Sequence, residues 1–317
     1  RCALEACSFQ PSSEFNALYS GFMIIRGYYQ SKGQGHRNIV LCPSTTPQSR
    51  LDAASMAGMK IVKVNSSQTM GVDLKDFRQG VDEYSSELAC LFIGYPNFGA
   101  PLENNIRQMI DIMHDNRAQV FIDGANTVGL IGLSSAGYLG ADLTQINLHH
   151  IFNMPSYGGS AALMSLNVAT HLKPLLPTHP LVATGGKQGI TATSSAPYAC
   201  ALALPLAYAG FKCLKEQELQ SNSKQALINT AYLAHHLKEL YRITSPSQPQ
   251  LSLELDNTTS TQVLEMLSEY GFYSSRYYEQ SSTTLTIETL YGKAELDELI
   301  NALTEIHNKI QIIKKQD

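Results

Sequence analysis

The sequence predicts an α/β protein: a mostly parallel sheet with helices on both faces, followed by a smaller α/β unit. Three observations predict it. Short apolar runs with two-residue alternation recur between segments of helical periodicity, the rhythm of a sheet buried on both sides. At 317 residues the chain is long enough for one large and one smaller core. From Ala199 the texture changes to long helical patterns and then to a second, shorter strand–helix alternation, which divides the chain into a large domain over 1–205 and linking helices plus a small domain over 206–317.

In chain order, residues 1–10 are a short apolar segment that stops at Pro11, and Ser13 is placed to cap a helix over 15–30 whose apolar positions are Phe15, Leu18, Phe22 and Ile25. A strand is expected over 38–42. The stretch 43–52 has two prolines and no hydrophobic pattern and reads as a loop, with a small-residue helix from Ala53 to Gly58. Strands follow at 60–65, 89–95, 119–122 and 142–148, with helices starting near Gly71 and spanning 104–116. Helices are then expected over 201–215 and 218–240. Past the proline-containing run 245–249 come a strand at 251–255, a helix at 259–270, a strand at 284–288 and a helix at 294–313. The mixed charges from Lys293 to Glu298 suit a solvated helix face.

Ligands of open α/β sheets bind at the carboxyl ends of the strands, which selects Tyr95, Asp123, His149 and His150. Each has a bland alternative. An aspartate beside Gly124 can be a turn residue bonding its own backbone, and His149 and His150 can be packing residues. On a strand, adjacent histidines point to opposite faces, so the pair alone makes a poor metal site.

Composition excludes some partners. A net charge of −4 and a pI near 6.1 offer no electrostatic reason to bind nucleic acid or a membrane surface. No apolar run is long enough to span a bilayer, and the start lacks a basic-then-apolar leader. Arg1 opens directly into a structured-looking stretch, as a fragment of a longer chain would. The six cysteines lie mostly in apolar segments with no Cys-x-x-Cys pair, the pattern of reduced core thiols.

Several stretches in order carry a resemblance: Ser8-Phe9-Gln10-Pro11, residues 32–37 (Lys-Gly-Gln-Gly-His-Arg), 56–59 (Met-Ala-Gly-Met), Asp123-Gly124-Ala125-Asn126, Gly140-Ala141-Asp142, Asn147-Leu148-His149, residues 171–180 and Ser195-Ala196-Pro197-Tyr198. Each is weak alone; as an ordered set over nearly the whole chain they resemble the C-terminal half of the glycine cleavage system P-protein, glycine dehydrogenase (decarboxylating), a pyridoxal-phosphate enzyme. The resemblance implies the aspartate-aminotransferase-like fold, fold type I of pyridoxal-phosphate-dependent transferases. It also implies that Asp123 faces the cofactor's pyridinium nitrogen, that Asn126 and His149 line the same site, and that the partner is a homologous P-protein half or a second copy, with lipoyl carrier (H) protein as a further partner. A cytoplasmic setting is expected, or the mitochondrial matrix in a eukaryote.

The departures fall on the cofactor anchors. Where the family has Asn-Leu-His-Lys, whose lysine forms the Schiff base, this chain has His150, and imidazole has no primary amine with which to make an aldimine. Another lysine, such as Lys187 in the glycine-rich run 185–189, could in principle reach inward, although such a run more often serves as a connection. The family's phosphate-cradling Ser-Gly-Ala-Gln-Gly-Glu becomes residues 13–18, so Ser13 is the vestige of the cradle and Glu14 stands in it. A carboxylate roughly 5 Å from a phosphate costs about 3 kcal/mol per phosphate charge at an effective dielectric near 20, unless Glu14 turns into solvent. Pro47 stands where the family has a histidine over the ring, and Tyr157 replaces a loop glycine.

Three readings follow from the resemblance. The favoured one is a catalytically inactive relative or structural subunit that binds pyridoxal phosphate poorly or not at all. The others are a working decarboxylase that passes an aminomethyl group to lipoyl carrier protein, and a binding domain with a repurposed cofactor cleft.

Overall fold

The computed structural model describes residues 2–66, 71–97, 102–125, 127–151, 163–243, 250–255, 258, 260–273, 277–281, 284–289 and 292–313. They form two compact units, one comprising Arg1–Phe98 and Leu102–Glu216, the other built mainly from Gln217–Asp317.

The first unit begins with β1 (Ala6–Ser8), α1 (Glu14–Ser31), β2 (Ile39–Pro43), α2 (Gln48–Met56), β3 (Lys60–Val64), α3 (Leu74–Tyr84), β4 (Leu88–Gly94) and α4 (Ile106–Asp115). It continues through β5 (Gln119–Gly124), the short α5 (Ala136–Leu139), β6 (Leu143–Asn147), the single turn α6 (Leu148–Ile151), β7 (Met164–Val168) and α7 (Ala203–Cys213). The sheet order is β1-β7-β6-β5-β4-β2-β3. Neighbouring strands from β3 to β6 are parallel, whereas β7 runs against β6 and β1 against β7.

Two-residue alternation decides which face each strand side chain serves. Val40, Cys42, Phe92, Phe121 and Leu143 pack with Leu18, Phe22 and Ile25 of α1 and with Leu51, Ala53 and Ala54 of α2. Ile39, Leu41, Leu91, Ile93, Val120 and Ile122 face the opposite way, onto Phe77 of α3 and Met109 and Met113 of α4. Phe22, Phe92 and Phe121 meet edge to face with centroids 5.2 to 5.4 Å apart. Gly21 lies against this cluster so closely that an added Cβ would fall 2.4 Å from the Phe121 ring.

The second unit has a four-stranded antiparallel sheet of β8 (Arg242–Ile243), β9 (Gln250–Glu254), β10 (Tyr277–Ser281) and β11 (Thr284–Glu288), in the order β10-β11-β9-β8. The helices α8 (Glu216–Leu237), α9 (Ser260–Glu269) and α10 (Lys293–Ile313) accompany it. Leu251, Leu253, Leu285 and Ile287 pack against Leu233, Val263, Leu267, Leu299 and Leu303. The salt bridge from Lys293 to Asp297 lies on an exposed face of α10, as the charge pattern implies.

Some expectations need correction. The stretch 43–52 is not one loop: Pro47, with φ −59° and ψ 142°, precedes a helix that starts at Gln48. Its apolar signal is faint because it buries mainly Leu51 and two alanines. His149 and His150 belong to the helical turn α6 rather than to a strand. The strands β7, β8 and β10 go unassigned in the sequence, and the strand β1 lies in what reads there only as a short apolar segment. Of the cysteines only Cys42 and Cys90 are buried, while Cys7 on the edge strand β1 and Cys213 at the end of α7 are exposed; all six are free thiols. Burial pushes the Cys42 thiol up to about 11.

Candidate functional site

The parallel strands end together at one edge of the sheet, and four segments converge there: the start of α1, the first turn of α2, and the ends of β5 and β6. Ser13 caps α1 from an extended backbone, its Oγ accepting from the Asn16 amide at 3.1 Å. Its hydroxyl thus serves its own helix. Glu14, the next residue, turns inward instead of rotating into solvent. Its Oε2 lies 2.6 Å from Nη2 of Arg50, and its Oε1 accepts from Nδ2 of Asn147 at 2.9 Å.

Asp123, at the end of β5, has a fully buried side chain. Its Oδ1 accepts from Nε2 of Gln145 and, at 3.0 Å, from the Ala125 amide. Its Oδ2 makes no hydrogen bond and faces Nε of Arg50 at 3.5 Å, an ion pair by distance without hydrogen-bond geometry. Arg50 therefore bridges the two carboxylates, Nη2 to Glu14 and Nε to Asp123. Burial holds the Asp123 pKa above the usual carboxylate range, against the pull of Arg50. Burial also opposes the Arg50 charge, but Asp123 and Glu14 hold its pKa above the usual value. Gly124 is required here: a Cβ would fall 2.4 Å from the Gln145 carbonyl oxygen.

His149 is buried, and its Nδ1 accepts from the Leu163 amide at 3.3 Å while its own amide donates to Oδ1 of Asn147 at 3.0 Å. These contacts tie α6 to the start of β7. The backbone of His150 is in α6, but its side chain, Asn126 and Tyr157 lie outside the described residues. Lys187 is exposed and lines a groove of about 570 Å³ beside β1, with Cys7, Phe9, Lys173 and Tyr198. Among the described residues, no group of three or more His, Cys, Asp or Glu side chains could hold a metal ion.

Sequence reasoning brought Asp123, His149 and Ser13 to this edge and missed Arg50. The available signal was an arginine shortly after a strand end, opposite two carboxylates already suspected of sharing the site.

The architecture is that of pyridoxal-phosphate-dependent enzymes of the aspartate-aminotransferase-like class. Apo cysteine desulfurase from Thermococcus onnurineus superposes with a TM-score of 0.71 at 13% identity, covering 96% of this chain and 79% of that one. A NifS-like protein gives 0.69 at 18% identity, covering 97% and 82%. No protein-family profile matches the chain. Individual sequences do. Glycine dehydrogenase (decarboxylating) from Christiangramia forsetii is 33% identical over 98% of this chain and 34% of that protein. The mitochondrial enzyme of Pisum sativum is 31% identical over 98% and 31%. The chain is thus a divergent relative of the glycine dehydrogenase (decarboxylating) P-proteins, and it spans about a third of the length of the curated relatives it matches.

The described residues do not fit pyridoxal phosphate. The helix start that would meet the phosphate carries Glu14, whose carboxylate is already paired with Arg50 and Asn147. The aspartate that would meet the ring nitrogen has the Arg50 cation beside its remaining oxygen. Position 150, where the family's lysine would stand, is a histidine.

Proposed function

We propose that this chain is a non-catalytic glycine dehydrogenase-like domain, a structural subunit that keeps the fold and has given up the cofactor. The observation that carries the reading is the Arg50 bridge, because one protein cation engages the residues at both ends of the cofactor's expected place. A bound phosphate dianion would sit against Glu14, at about 3 kcal/mol per phosphate charge at roughly 5 Å, and could draw on Arg50 only by competing with the carboxylates that already hold it. Without a primary amine at 150 there is no covalent capture at that position to offset the cost.

The partner that suits this role is a homologous P-protein half or a second copy of the chain. The relatives are about three times as long, so in them much more polypeptide surrounds the matching segment. Lipoyl carrier protein would then dock on the assembly rather than on this domain alone. The setting proposed is the cytoplasm, or the mitochondrial matrix as in the pea relative; no helix among the described residues is long and apolar enough to cross a membrane.

The second reading, a working decarboxylase subunit, is favoured by the retained Asp123 and by the 33% identity to a glycine dehydrogenase (decarboxylating) sequence. Incubation with pyridoxal phosphate separates the two. The proposal expects no visible aldimine band and no borohydride-reducible adduct; a stoichiometric reducible band would eliminate it.

A further inference from the structure

We propose that Arg50 is a resident substitute for the cofactor, holding the walls of the cleft together, and that the cleft is accordingly specific for a guanidinium ion. This rests on the non-catalytic reading above and adds to it a ligand class and a structural role.

The residues around Arg50 require a cation of this shape. Asp123 is fully buried, with Oδ1 taken by Gln145 and the Ala125 amide, so Oδ2 depends on the guanidinium 3.5 Å away. Glu14 lies on another element and is drawn in by the same guanidinium at 2.6 Å. A planar fork can present two N–H edges to two carboxylates at once, which an ammonium on a flexible stem does poorly. Through Asn147, which bonds Glu14, the contact extends to β6. One side chain thereby joins α1, α2, β5 and β6 at the strand ends, and burial of Leu51, Ala53 and Ala54 fixes the helix that carries it. Without the guanidinium, the fully buried Asp123 would lose the cation beside its Oδ2, which makes no hydrogen bond, and a buried carboxylate stripped of its counter-ion is strongly disfavoured.

The test is chemical rescue of the full chain carrying Arg50→Ala, with thermal unfolding followed by circular dichroism. Removing one partner of a buried ion pair in a unit of this size should lower Tm by about 10 °C. Millimolar methylguanidinium chloride should restore at least half of that loss, whereas sodium or tetramethylammonium chloride at equal ionic strength should not, and the parent protein should not respond. An unchanged Tm, or a loss that methylguanidinium fails to repair or that sodium repairs equally, overturns the proposal. If Arg50→Ala does not fold, the combination of Glu14→Gln, Arg50→Ala and Asp123→Asn decides: it should fold and ignore methylguanidinium, and failure to fold would sink the idea. No cofactor enters these measurements, so a reducible pyridoxal-phosphate adduct would refute the non-catalytic reading without touching the rescue result, and absent rescue would leave that reading intact.

Discussion

Asn147 donates from Nδ2 to Oε1 of Glu14 at 2.9 Å, joining the end of β6 to the first turn of α1. The bond leaves the other carboxylate oxygen to Arg50, so the two contacts on Glu14 can be separated by mutation. Glu14→Gln keeps an acceptor for Asn147 and loses the charge opposite Arg50. It should destabilise by about 2 kcal/mol, and a double-mutant cycle with Arg50→Met should return a coupling energy of at least about 1 kcal/mol in urea unfolding. Additive effects would mean that the ion pair contributes nothing.

Restoring the lysine alone should not restore the cofactor. His150→Lys supplies an amine but leaves Glu14 and Arg50 engaged with each other and with Asp123. A spectrophotometric titration should therefore give weak binding of pyridoxal phosphate, and a submicromolar Kd in the single variant would show that the bridge is no obstacle.

At the other end of the sheet, Asp142 serves two histidines, Nε2 of His114 at 2.9 Å and Nε2 of His171 at 3.7 Å. The hydrogen bond to Asp142 raises the His114 pKa, with Asp111 and Asp115 adding to it. Burial lowers that of His171, against the pull of Asp142. Above about pH 6.5 the folded chain retains the His114 proton that the unfolded chain has lost, so stability falls as pH rises through the folded value. Below about pH 6.5 the unfolded chain protonates His171 more readily than the folded one, so stability falls as pH drops. Tm measured across this range should pass through a maximum, His114→Gln should flatten its alkaline limb, and His171→Gln should flatten its acid limb.

Gly124→Ala tests how closely β5 and β6 must approach beside Asp123. A Cβ there would press on the Gln145 carbonyl at 2.4 Å and on Oγ1 of Thr144 at 3.2 Å. A loss of about 2 kcal/mol is expected from overpacking, read as a lower urea midpoint with unchanged slope. A neutral result would mean that the strands part easily.

The strands with clean alternation and the helices with a wide apolar face were legible in the sequence: β2, β4 and β5 alternate between the two cores, and α4 and α10 appear within two residues of expectation. The elements that escaped had weak signals. The strand β8 is two residues long, β10 reads Tyr-Tyr-Glu-Gln-Ser, and α2 buries alanines where a pattern search looks for bulk. Asp123 was legible at the candidate site because it ends an apolar strand. Arg50 was not, because an arginine in a segment read as a loop is ordinarily solvated, and only the fold turns it toward two carboxylates.

The glycine pressed against Phe121 gives α1 the character of a lever. Gly21 is its fulcrum on the sheet and Glu14 its tip two turns away, so a bulkier side chain at 21 would tilt the tip and pull a carboxylate out of register with Arg50. The fidelity of the charged bridge is thus set in the hydrocarbon interior, by a residue that touches none of its members.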